Sequence, residues 1–180
     1  MFVQTEITPN PNSLKFLPGK TVSNNGSFEV TKKEETDSEL IRNLLSINGV
    51  TAVFLGLDFL SVNKSENTNW EDIKHIVISL INDFYSTGKE FVIASELFRE
   101  KKVELKEIEK QIINLLETKI RPAVAKDGGD IKFKEFKDGV VKVELQGSCS
   151  GCPSSTMTLK QGVQNLLCHY LPEVKEVVAV

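Results

Sequence analysis

Cys149 and Cys152 are two of only three cysteines in a 180-residue chain, and they stand in Gly147-Ser148-Cys149-Ser150-Gly151-Cys152-Pro153. The C-x-x-C spacing brings two thiols to one side of a loop, where their thiolates can grip a soft metal or cycle between dithiol and disulfide. Either chemistry needs deprotonated sulfur, and a position just before a helix N-terminus lowers a thiol's pKa. The pair has that position. Val141, Val143 and Leu145 alternate with polar residues up to the loop, and helical spacing begins after Pro153. Unpaired N–H groups at a helix start also favour an anion. Gly147 and Gly151 let the backbone wrap closely and aim N–H groups at sulfur. The loop contains no His, Asp or Glu to act as an oxygen or nitrogen ligand.

A tetrahedral zinc or an iron–sulfur cluster takes four sulfur or nitrogen ligands. The chain has no second cysteine pair. Cys168 lies about 13 residues along the following helix, or roughly 20 Å at about 1.5 Å per residue. Metal–sulfur bonds are near 2.3 Å, so Cys168 reads as a small residue flanking the core, and His169 is remote for the same reason. His75 lies off the apolar stripe of its own helix, with no cysteine near it in sequence. Cys149 and Cys152 are therefore the candidate ligands, and they make half a site. Two copies meeting at a two-fold axis would supply four thiolates. A [4Fe–4S] cluster suits that axis better than one zinc, because each of its four irons takes one thiolate. Held by two bonds per chain, such a cluster would also be easier to release, as a carrier requires. On the residues alone four chemistries stay open: an iron–sulfur site, a bridging zinc, thiol–disulfide exchange and a structural pair. Exchange expects a thioredoxin-like βαβ setting, and the hairpin before the motif argues against it.

Apolar content of 40%, charged content of 26% and a net charge of −3 describe an ordinary soluble protein. That balance disfavours nucleic acid as the main partner, which needs clustered Lys and Arg. No apolar run approaches the roughly 20 residues of a membrane span, and the first residues carry neither a signal peptide nor a transit-peptide pattern. The expected location is cytoplasmic for a bacterial chain and the mitochondrial matrix for a processed eukaryotic one. Three cysteines do not make a disulfide framework.

Around the site, residues 1–88 read as one domain, 89–102 as a linker and 103–180 as a second domain. In the first, Thr8-Pro9-Asn10-Pro11-Asn12 is expected to be extended, followed by strands at 13–17, about 26–32, 50–55 and 59–63. A helix is expected after a capping box of Thr36 and Glu39, and another after Thr68 and Glu71. The second of these carries a stripe of Trp70, Ile73, Val77, Leu80 and Phe84, widened by Ile76 and Ile81 and read as core. No residue of this half carries visible chemistry. In the second domain a helix from 103 to 120 ends or kinks at Arg121-Pro122. Asp127-Gly128-Gly129-Asp130 forms a turn, and a hairpin folds about Asp138-Gly139 with a bulge near Phe136. A helix capped by Ser154 or Ser155, with Leu159, Val163, Leu166 and Tyr170 inward, leads to a last strand from 174. The fold class is α+β: two small mixed domains, the second in the order helix–strand–strand–helix–strand.

These motifs carry a resemblance. Ile120-Arg121-Pro122, Asp127-Gly128-Gly129-Asp130, Asp138-Gly139-Val140, the cysteine loop through Ser155, Thr158-Leu159-Lys160-Gln161-Gly162 and Pro172-Glu173-Val174 resemble the C-terminal domain of NifU-like proteins. Thr8 through Phe16, Gly49-Val50 and Trp70 resemble the N-terminal domain of the Nfu type. The resemblance implies a non-enzymatic iron–sulfur cluster scaffold or carrier with Cys149 and Cys152 as ligands. Its implied partners are a second copy of itself, upstream cluster-assembly machinery and apo iron–sulfur proteins.

Overall fold

The computed structural model describes residues 2–24, 26–93, 104–150 and 153–180, and the side chains of all of these except 153–155. Among the described residues the chain forms two sheets, each with its own hydrophobic core. The first sheet contains β1 (Gln4–Ile7), β2 (Ser13–Leu17), β3 (Phe28–Val30), β4 (Val50–Leu55) and β5 (Leu60–Lys64). They lie in the order β1-β2-β5-β4-β3, with every pair antiparallel. Two helices, α1 (Glu39–Ser46) and α2 (Trp70–Ser86), cover one face. Leu14, Phe16, Val53, Leu55, Leu60 and Val62 meet Leu40, Ile41, Leu44, Val77 and Ile81 there. Val92 and Ile93 join this core, inside the stretch expected to connect the halves, and their N–H groups donate to Val22 O. The remainder of that expected linker, 94–102, lies outside the described residues.

Several local expectations change. Thr8–Asn12 is a turn, not an extended run: it joins β1 to β2, with Ser13 N donating to Asn10 O at 3.0 Å. The prolines fix φ at two turn positions. Helix α1 is capped by Ser38, whose hydroxyl accepts from Ile41 N, while Thr36 Oγ1 accepts from Ser38 N. Helix α2 starts after Asn69 with no side-chain cap, and Thr68 Oγ1 pairs with Ser65 Oγ instead. The buried stripe of α2 is Ile73, Val77, Ile81 and Tyr85, so Leu80 and Phe84 lie only at its edge.

The second sheet has the order β6-β7-β8, from β6 (Gly129–Lys137), β7 (Val140–Gly147) and β8 (Glu176–Ala179). A helical segment leads into it through α3 (Glu107–Leu115), a wide turn at Leu116–Ile120 and α4 (Arg121–Lys126). Pro122 has no N–H to give, and the Arg121 N–H reaches back five residues to Leu116 O. The chain is thus kinked rather than stopped at Arg121-Pro122. Asp138, at φ +52°, and Gly139 close the β6–β7 hairpin. Its register shifts between Phe133 and Glu135, two residues before the expected bulge at Phe136. Helix α5 (Pro153–Tyr170) crosses over to β8, which pairs parallel with β7. Ser154 and Ser155 are already inside α5, so neither is its cap. Its inward residues are Val163 and Leu167, with Leu159 beside them; Tyr170 is exposed.

Candidate metal centre

Strand β7 ends at Gly147, and α5 begins at Pro153. Ser148, Cys149 and Ser150 turn the chain between them, and Cys152 lies outside the described residues. Gly147 has φ +68°, and a Cβ there would stand 2.5 Å from Gly128 O and 3.0 Å from the Phe54 ring. Only glycine fits that corner. Gly147 O then accepts from Ser150 N at 3.2 Å, closing the turn. Ser148 N donates to Gly128 O at 3.2 Å, and Ser148 Oγ donates to Asp127 O. Thr156, in the first turns of α5, donates its hydroxyl to Cys149 O at 3.2 Å.

Gly129 sits directly against the thiol. A Cβ on residue 129 would come within 2.7 Å of Cys149 Sγ and 2.7 Å of Gln146 O. The Asp127-Gly128-Gly129-Asp130 turn is therefore a seat for Cys149. Its far end is anchored: Arg121 grips Asp130 bidentately, Nε to Oδ1 at 2.8 Å and Nη2 to Oδ2 at 2.9 Å. Asp130 also accepts from Ile131 N and Ser27 Oγ. Cys149 is 7% exposed and packs into the second core. An apolar cavity of about 530 Å³ opens beside it, between α4 and α5, bounded by Val124, Leu159, Val163 and Leu166.

Cys168 lies on α5, partly buried against the second core and not on that cavity. His75 and His169 are exposed on α2 and α5. Among the described residues no three of His, Cys, Asp and Glu gather in a metal-holding group. What the structure brings to the loop comes from the first sheet. Glu29 Oε1 accepts from Gly147 N at 3.0 Å and lies 3.2 Å from Ser150 Oγ. Asn63 Nδ2 donates to Gly147 O at 3.0 Å and Asn10 Nδ2 to Ser148 O at 3.1 Å. Burial pushes the Glu29 carboxyl above its usual range. Gly147 N–H, the Ser150 hydroxyl and Lys132 pull it back, and Glu144 adds to the rise. Sequence reasoning assigned no chemistry to this half and missed all three residues. The available signal was a set of small neutral polar residues, Ser61 and Asn63 among them, where a solvated strand face usually carries charge.

Two families match the chain. The NifU-like domain matches residues 112–178, and the family described as "Scaffold protein Nfu/NifU N terminal" matches residues 3–88. The Homo sapiens protein named "NFU1 iron-sulfur cluster scaffold homolog, mitochondrial" is 45% identical over 98% of this chain and 71% of its own length. The chain belongs to the Nfu family of NifU-like proteins. Another Nfu relative, "NifU-like protein 4, mitochondrial" of Arabidopsis thaliana, is 44% identical over 98% of this chain and 65% of its own. The chain thus spans about two thirds of the length of these relatives. The solution structure of a NifU-like protein from Saccharomyces cerevisiae is 31% identical, with a TM-score of 0.48 over 53% of this chain and 87% of that one.

Proposed function

We propose that this Nfu chain is a scaffold and carrier of iron–sulfur clusters, with Cys149 and Cys152 as the ligands it contributes. The observation that carries the reading is the seat of Cys149. A sulfur at a strand-to-helix junction is packed against bare glycine backbone, in a loop whose sequence offers sulfur and no His, Asp or Glu. A donor set of that kind supplies thiolate and little else, which suits iron–sulfur chemistry over oxygen-liking metals. One chain then holds half of the cargo, and a second copy completes it as a shared [4Fe–4S] cluster. The cluster comes from upstream assembly machinery and leaves to apo iron–sulfur proteins. Residues 103–180 carry it, residues 1–88 form the companion domain, and 89–102 connect them. The relatives' names support a mitochondrial location; within it the reading is the matrix, and for a bacterial chain it is the cytoplasm. No described helix is long and apolar enough to cross a membrane.

A specific observation favours one second reading. The cysteine loop heads the crossover helix of a parallel β7–α5–β8 unit. The hairpin before the motif had argued against a thiol–disulfide exchanger, and this βαβ setting removes that objection. Anaerobic supply of ferrous iron and sulfide separates the two. A carrier develops the broad visible absorption of a cluster, lost in Cys149→Ser and Cys152→Ser and kept in Cys168→Ser. An exchanger stays colourless and instead reduces disulfide substrates, or in its disulfide form oxidises dithiol substrates, through the same pair.

A further inference from the structure

The strands of the first sheet alternate, so one face should meet the helices and the other should meet water. Leu14, Phe16, Leu60 and Val62 obey, entering the first core. Their neighbours on the opposite face do not behave as solvated residues. Ser13, Lys15, Ser61 and Asn63 are 1%, 8%, 0% and 9% exposed. They are covered by the second half, where β7 lies against β3, β4 and β5.

We infer that this polar sheet face is a cap over the cysteine loop, and that it competes with a second copy of the chain for that loop. The inference rests on the reading that two loops share a cluster. The cap takes up backbone groups of the loop and of the turn that seats it. Gly147 N–H is held by Glu29, Gly147 O by Asn63, Ser148 O by Asn10 and Gly128 O by Ser61, the last at 2.5 Å. Lys132 reaches back to Ser27 O at 2.6 Å, and Phe54 packs over Gly147. Beneath this lies Cys149, with 7% of its surface exposed. A partner's thiolates must approach the same cluster within bonding distance, and on the side where the sheet lies the loop's backbone is already engaged, which leaves the cavity between α4 and α5 as the open side of Cys149.

The interface is built to open. It is mostly polar, with Phe54 as an apolar contact at Gly147, and in that it is closer to interfaces that form and dissolve than to a domain core. Three of its buried atoms, Ser13 Oγ, Asn63 Oδ1 and Gln146 Oε1, have no hydrogen-bond partner among the described residues. Unpaired buried groups weaken the closed state relative to a separated one in which water reaches them. Cluster arrival and pairing of two copies then take the place of the cap.

Alkylation of the reduced, metal-free full chain by iodoacetamide tests this, with fragment masses resolving Cys149 from Cys152. Glu29→Lys places a cation against the Gly147 N–H, and Asn10→Ala removes the Ser148 link from a turn outside the strands. Both variants should alkylate Cys149 at least about tenfold faster than wild type, as local opening does for any protected group, with Cys168 unchanged. If Glu29→Lys loses its circular-dichroism spectrum, Asn10→Ala alone decides. Equal Cys149 rates in wild type and the folded variants overturn the cap. Iron and sulfide loading is followed in parallel and should run faster in the variants. Failure of every version to load, wild type included, counts against the carrier reading, while the alkylation rates still judge the cap.

Discussion

Cys149 Sγ stands where the methyl group of an alanine at 129 would press. Gly129→Ala must therefore push the sulfur or the β6 start aside. Overpacking of this kind costs about 1–3 kcal/mol, so the urea midpoint should fall and iron bound per chain should fall with it. Unchanged iron binding would show that the seat is dispensable. Glu29 gives a second test at this scale. Its carboxyl is raised by burial in the closed arrangement, with Lys132 opposing and Glu144 reinforcing. A carboxyl raised in one state contributes to that state fully at low pH, and the contribution is lost as pH rises through the raised value. Closure should thus weaken from the ordinary carboxylate range upward, read by the protein's radius in X-ray scattering. Glu29→Gln keeps an acceptor for Gly147 N–H without a charge to desolvate, so it should flatten that dependence. A flat wild-type profile would contradict this role for Glu29. The cysteine pair was visible in the sequence as a candidate because thiols at that spacing can hold a metal or exchange disulfides. Glu29, Asn63 and Asn10 were not, because their backbone partners lie 118, 84 and 138 residues away.

At the scale of elements, α5 fixes the loop from below. Leu167 is fully buried on it. Truncation to alanine should destabilise the second core by about 2–5 kcal/mol, measured by chemical denaturation. A loss near zero would mean that α5 is held by something other than its inward residues. Strands and helices were largely readable, since alternation and three-to-four spacing follow directly from backbone geometry. Helix starts were less so. Thr36 and Thr68 head capping-box patterns, yet Ser38 lies closer to the first apolar turn and takes the α1 cap, while Thr68 is engaged by Ser65. The parallel β7–β8 pairing was also hidden, because the sequence of a short Val-rich strand does not say which neighbour it joins or in which direction. That pairing is what gives the cysteine loop its place at the head of a crossover helix.

At the scale of the whole molecule, two cores meet across a mostly polar seam that includes Phe54, and the loop lies in it. Ile81 is fully buried in the first core, far in sequence from the cysteines. Ile81→Ala should lower the stability of that core by about 2–5 kcal/mol while leaving iron and sulfide uptake intact, as shown by absorbance per chain. Loss of uptake would make the first core part of the ligand set's support. The two cores were accessible because each half carries its own strands and amphipathic helices. The seam was not, because small polar residues on a strand look solvated until something is known to cover them. The central claim is that one chain holds half a cluster. Native mass spectrometry of the anaerobically loaded, full-length protein tests it most directly. The expected species is two chains with one [4Fe–4S], about two irons per chain, absent in Cys149→Ser and Cys152→Ser. A fully loaded single chain, or equal loading after either substitution, would contradict it.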